Sequence, residues 1–331
     1  PGHLQRRSSV ITRSSLRTPA VAALGVLVGG LTLGSAVARP ALQREADALE
    51  ARPAAISIVR HDLAPGLFEV GLDRTVDPAG GVGRLLAVSA DGRRAAIAGR
   101  IGPEATVLTT GGEEGAQQVQ LPGLIAAAFS ADGSWLAAID GTGRLWRVAD
   151  GAVSALPAAG TFAGELSIEP DDAILALRVS SVEAPITATP VRISPDGTVQ
   201  VLSDERLVYG IQRLADGSLA IAAHRASSNV VLRVAGGERL LADLGPDAVH
   251  ASISARGDMV AFERAGQVFV QRAGAASARP IGPGSNPRIA PDGQTVLAEL
   301  PIGSVLLALD GRELARFASQ AAFAPCGECR P

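Results

Sequence analysis

Ile125-Ala126-Ala127-Ala128-Phe129-Ser130-Ala131-Asp132-Gly133-Ser134-Trp135-Leu136-Ala137-Ala138-Ile139 is the stretch that decides the fold. An apolar run meets a tight turn with Ser first and Gly last, the places a type I turn prefers for them, and a second apolar run follows. Gly141-Thr142-Gly143 breaks that run, and Leu145-Trp146-Arg147-Val148 opens a third strand. Asp150-Gly151 then turns into a fourth, Ala152 to Leu156. Four strands in about 35 residues make one blade of a β-propeller.

The unit repeats. Its first turn recurs at Ser89-Ala90-Asp91-Gly92, Glu169-Pro170-Asp171-Asp172, Leu214-Ala215-Asp216-Gly217, Ser254-Ala255-Arg256-Gly257 and Ala290-Pro291-Asp292-Gly293. Third turn positions fall at 91, 132, 171, 216, 256 and 292, giving steps of 41, 39, 45, 40 and 36. Those steps match a propeller blade. A second turn series keeps pace at Gly111-Gly112, Asp150-Gly151, Asp196-Gly197, Gly236-Gly237, Gly274 and Asp310-Gly311. Apolar runs are nearly continuous within strands, as sheets buried on both faces require. Past Ala55 no amphipathic helical period appears, so the fold class is all-β.

The ends of the repeat set the blade number. Ala322-Phe323-Ala324-Pro325-Cys326-Gly327 aligns with Ala128-Phe129-Ser130-Ala131-Asp132-Gly133, one more first strand and turn. Ile56-Ser57-Ile58-Val59 and Leu67-Phe68-Glu69-Val70 read as two strands ahead of the first full blade. Joining both sets closes a ring, so seven four-stranded blades are expected, six full and one composite. Six blades with stray ends is the alternative.

Phe129-Ser130-Ala131-Asp132-Gly133-Ser134-Trp135-Leu136-Ala137 resembles the WD40-like, TolB-type propeller repeat, as do Ile193-Ser194-Pro195-Asp196-Gly197 and Ile289-Ala290-Pro291-Asp292-Gly293. The resemblance covers roughly Gly83 to Gly327 and implies architecture, because such repeats serve many unrelated functions. The Gly-His and Trp-Asp marks of true WD40 repeats are missing. No separate amino-terminal domain of the TolB type is expected within these residues.

Ahead of the repeat, residues 1–38 read as a targeting segment. Arg6, Arg7, Arg13 and Arg17 precede an uncharged stretch, Ala20 to Ala38, that ends in Ala36-Val37-Ala38. That is the pattern of a secretory signal peptide, and the stretch is also long enough for a retained transmembrane anchor. Either way the remainder is expected outside the cytoplasm, periplasmic or extracellular. Residues 39–54 form a spacer with helical spacing at Leu42, Glu45, Ala46 and Leu49, and 55–331 form the propeller. Opening on Pro1 without Met, the sequence reads as trimmed or partial.

Net charge of −3 gives no electrostatic reason to bind nucleic acid. Arg supplies all 30 basic residues, a pattern that fits a GC-rich bacterial genome better than phosphate recognition. Chemistry is sparse. His3, His61, His224 and His250 are scattered, and no Gly-x-Ser-x-Gly elbow occurs. Lactonase propellers hold calcium with Glu, Asn and Asp, and Asn229 and Asn286 are the sole Asn candidates. Asp91, Asp132, Asp196, Asp216 and Asp292 tempt as a carboxylate set, but each has a turn role in its own blade. No catalytic residue, metal or cofactor is therefore expected.

Cys326-Gly327-Glu328-Cys329 is read as a local disulfide between Cys326 and Cys329 in an exported protein, with redox chemistry, metal binding or no role as alternatives. The expected function is a non-enzymatic binding or scaffold protein with a protein or cell-envelope partner. A hydrolase or lactonase is the alternative. Membrane contact is expected only through the amino-terminal segment. Connections from second to third strands vary in length, and variable loops on a rigid scaffold concentrate binding residues. Arg100, Asp140, Glu183, His224, Arg225, Arg264 and Glu299 fall in or beside them and are expected to ring one channel mouth. Glu183, Arg225 and Arg264 are the expected contacts.

Overall fold

Ser130 and Asp132 show how the repeat turns. Ser130 N–H donates to the Trp135 carbonyl and Gly133 N–H to the Ser130 carbonyl, each at 2.9 Å. Ser130 Oγ donates to Asp132 at 2.7 Å, and the same carboxylate oxygen accepts Ser134 N–H at 3.0 Å. Gly133 closes the turn at φ 69°, a region that disfavours side chains. The other tempting carboxylates do the same work: Asp91, Asp196, Asp216 and Asp292 each accept the backbone N–H two residues on. The turn reading of this carboxylate set holds.

These bonds have a pH signature. Donation from Ser130 Oγ, then from Ser134 N–H and Oγ, brings the Asp132 carboxyl down to about 2. Its folded value lies below the ordinary 3.8. The turn therefore contributes stability that is present above the unfolded value and lost as pH falls through the folded one. Ser130→Ala is expected to move the Asp132 titration upward in carboxyl-resolved NMR. An unchanged titration would show that Ser130 does not set it.

The structure, a computed structural model, describes residues 56–72, 84–101, 105–112, 115–121, 123–181 and 187–324. Its strands form six four-stranded antiparallel sheets and a seventh of three described strands. Blade 1 spans 84–121, blade 2 126–155, blade 3 161–201, blade 4 208–245, blade 5 249–283 and blade 6 285–317. Strands are lettered a to d from the channel outward. The a strands pack side by side from Arg84–Val88 round to Ser285–Ile289, and Gln320–Phe323 meets Arg84–Val88 again. The ring has seven blades, as expected.

Blade 7 is composite. Gln320–Phe323 takes the inner place, Leu67–Leu72 lies beside it and Ile56–His61 outside that. Leu67 stands opposite Phe323 and Val70 opposite Gln320. Ala324 N–H donates to the Gly66 carbonyl at 2.8 Å, repeating the Ser130–Trp135 closure. The amino-terminal hairpin enters in reverse, its second strand against the closing strand. Glu69 ties the two chain ends further, accepting from Ser319 Oγ at 2.6 Å and lying 3.2 Å from His61 Nε2.

The core sits between blades. Seven buried apolar clusters each join one adjacent pair, from blades 1 and 2 round to blades 7 and 1. Ala137, Ala176, Ala220, Ala222 and Ala261 are wholly buried in them, so small side chains let the sheets approach closely. Leu175, Ile221 and Leu306 supply bulk, each worth about 1.5–3 kcal/mol on full burial.

Candidate mouth of the channel

The residues that define a site come from breaks in strand pairing. Five of the seven a strands carry a β-bulge. Leu86 is extra in blade 1, Gly164-Glu165 in blade 3, Tyr209 in blade 4, His250-Ala251 in blade 5 and Asn286-Pro287 in blade 6. A bulge re-aims side chains and commonly sits beside functional sites. In blades 4 to 6 the bulges lie at the strand start, opposite the end of strand b: Val208 pairs Ala223, Val249 pairs Glu263 and Ser285 pairs Glu299. They therefore open on the face of the second-to-third strand turns. His250 at φ 51° and Asn286 at φ 45° hold left-handed conformations there, which non-glycine residues adopt at a cost of order 1 kcal/mol.

The re-aimed side chains meet one another. His250 Nδ1 lies 2.9 Å from Glu263 Oε2, which also accepts Asn286 N–H at 3.2 Å. Asn286 Nδ2 donates to Glu299 at 2.7 Å. Arg288 of blade 6 reaches across the channel to pair with Glu165 of blade 3, which is not its neighbour. Arg288 is walled in by protein yet still partly open to solvent, at 46% side-chain exposure. The tie therefore places charge more than it adds stability. Glu165 beside it raises the Arg288 pKa against the opposing effect of burial, with Glu299 adding to the rise. Next to Glu165, the Tyr209 hydroxyl is buried without a hydrogen-bond partner among the described residues. Burial, and then the charge of Glu165, push it up to about 12.

The expected rim residues divide. Glu299 belongs to this cluster. Arg225 is exposed and already paired: its Nε donates to Glu205 at 2.6 Å and its other end pairs with Glu238 of the same blade. Arg264 lies over Phe262 and Phe269 at 5.5 and 5.1 Å and donates to the Leu244 carbonyl at 2.6 Å. Asp140 is wholly buried, accepting from Thr142 N–H and Oγ1, Arg144 N–H and Trp146 Nε1. Burial raises its pKa, but these donors outweigh that and keep it below the usual range. The sequence reading put Asp140 on the rim, and its side chain instead turns inward to close the Gly141-Thr142-Gly143 turn. His224 pairs Nδ1 with Asn229 Oδ1 at 3.3 Å, a satisfied contact within blade 4.

Arg100 is the next-to-last residue of strand b of blade 1, opposite Thr106, and its side chain is outside the described residues. Glu183, Cys326 and Cys329 also lie outside them. Two of the described connections are shorter than expected, while residues 102–104 and 182–186 of two others lie outside the described residues. Second-to-third connections in blades 4 and 5 are the two-residue hairpins Ala226-Ser227 and Ala265-Gly266, with Ala226 and Ala265 near φ 50°. Glu165, Tyr209, Glu263 and Arg288 were missed by sequence reasoning. Gly164 inside an apolar strand was the available hint of a bulge.

No protein-family model matches the chain, and no curated protein does. Among solved structures, TolB from Acinetobacter baumannii is similar with a TM-score of 0.51 and 18% identity, over 70% of this chain and 66% of that one. This chain thus spans about two thirds of that protein's length. The tricorn protease is similar with a TM-score of 0.53 and 10% identity, over 80% of this chain and 35% of that one. The β-propeller domain of the Trilobed protease from Pyrococcus furiosus gives 0.50 and 12%, over 80% and 98%. At these identities the likeness concerns fold alone.

Proposed function

Taking as premise a seven-bladed propeller of TolB-like, WD40-like fold, we propose that the chain is an exported, non-enzymatic binding protein that holds a protein or cell-envelope partner at the bulged mouth. One observation carries this reading. Bulges in three consecutive blades, at Tyr209, His250 and Asn286, break strand pairing at one end of the channel, and a fourth in blade 3 sets Glu165 against Arg288 across it. Rigid strands hold polar groups there in fixed positions, as preorganised recognition requires. Export rests on residues 1–38, whose basic start and apolar stretch suit a signal or anchor. Among the described residues no helix is long and apolar enough to cross a membrane.

A hydrolase or lactonase working at the same mouth is the second reading, and the unpartnered Tyr209 hydroxyl beside Glu165 supports it. Val249 and Glu299 are exposed at the mouth, so Val249→Asp with Glu299→Arg leaves the core intact. That double variant is expected to lose about tenfold or more in partner capture from envelope extract, with its melting curve unchanged. Arg256→Glu with Arg312→Glu, on the opposite face, is expected to capture normally. Equal capture by both variants would contradict the proposal, and turnover of an ester or lactone panel abolished by Tyr209→Phe would install the second reading.

A further inference from the structure

Three successive blades place an arginine at the same point of strand c. Arg147, Arg192 and Arg233 each precede the residue opposite the first residue of strand b: Val148 opposite Leu136, Ile193 opposite Ile174, Val234 opposite Leu219. In blades 3 and 4 that arginine is satisfied by its own turn. Arg192 pairs with Asp171 and Glu169, and Arg233 pairs with Asp216. Blade 2 departs from the pattern. Its turn is one residue longer, closing from Ser130 to Trp135 where the others close from Glu169 to Ala173 and Leu214 to Ser218. Asp132 is engaged by Ser130 and Ser134. Arg147 lies instead over the Trp135 ring at 4.5 Å and makes no ion pair among the described residues.

The space beside Arg147 is a cleft between blades 2 and 3. Trp135, Ile174 and Ile193 are its buried floor, and Leu156, Pro157 and Pro195 its walls. Trp135 is fixed from the far side, its indole N–H donating to Asp172 of blade 3 at 3.1 Å. A guanidinium stacked on an aromatic ring has one face covered and its N–H edge free, the edge that matches a carboxylate bidentately. Asp172 also borders the cleft, one of its oxygens held by the Trp135 indole, and its charge opposes any anion there, a dianion such as phosphate more than a single carboxylate.

We propose that this cleft is a second binding site, taking a carboxylate joined to a small branched apolar group, with Arg147 receiving the carboxylate and the apolar group resting against Leu156 and the two prolines. It is separate from the channel mouth, and its failure would leave the mouth reading untouched. The chemistry is shared by small acids and by a peptide chain end.

The test titrates the full chain by calorimetry with N-acetyl-leucine, N-acetyl-leucinamide, and a tetrapeptide ending in leucine as free acid or as amide. Both acids are expected to bind saturably, with both amides and Arg147→Gln weaker by about tenfold or more. Arg147→Lys, which keeps the charge and loses the fork, is expected to fall between. Tighter binding of the peptide acid assigns the site to chain ends, and equal binding assigns it to small acids. Equal affinity for acid and amide, binding unchanged in Arg147→Gln, or no saturable binding by either acid would overturn the proposal.

Discussion

Removal of residues 320–331 is expected to destroy cooperative unfolding. Gln320–Phe323 is the inner strand of the closing blade and the only described strand that joins the carboxyl-terminal end to Leu67–Leu72. Without it Leu67 and Phe68, both within 5% of full burial, lose one wall, and the Leu85 N–H loses the Gln320 side chain. Two of the seven inter-blade cores, those of blade 7 with blades 6 and 1, include residues of this strand or of Ala324. Two opened interfaces cost on the order of 5 kcal/mol or more, comparable to the whole stability of a typical domain. Leu67→Ala probes the same closure more gently, at about 2–5 kcal/mol. A truncated chain that still melts in one sharp step within a few degrees of the parent would show that this blade does not close the ring.

Phe262→Ala should be the most damaging single substitution near the site, at about 3–5 kcal/mol by urea denaturation. Phe262 is wholly buried, stacked on Phe269 with ring centroids 5.6 Å apart, and packed between blades 4 and 5. The loss extends to Arg264, whose guanidinium rests on both rings and whose Nε is already buried without a partner among the described residues. Phe262→Leu refills part of the volume and should recover roughly half of the loss. A loss below about 1 kcal/mol for the alanine variant would mean that this core relaxes freely.

Blade turns were legible because their chemistry is local. Ser130, Asp132 and Gly133 carry their own turn within four residues, and the likeness of Ala322-Phe323-Ala324 to Ala128-Phe129-Ser130 announced the closing strand. The site was not legible, since it depends on register. A bulge at Tyr209 or Asn286 exists only relative to the partner strand. The decisive pairs also span long separations: Glu165 and Arg288 are 123 residues apart, and Arg225 finds Glu205 and Glu238 at 20 and 13. Proximity to a turn put Asp140 on the rim although its side chain is buried, and it did not reveal that Arg225, exposed at the end of its strand, is paired with Glu205 and Glu238. Glu299 could be assigned to the end of strand b that faces the second-to-third strand turn because strand direction alone determines it.

The claim that the bulged mouth is the binding face is tested most directly along one strand and the turn that follows it. Val249 begins strand a of blade 5 at the mouth, and Arg256 lies in the turn beyond its other end. A photo-crosslinking amino acid placed at each position in turn, in intact cells, samples the two faces of one blade. The account predicts a discrete partner adduct from position 249 and none from position 256. An adduct from 256 alone, or equal adducts from both, would contradict it.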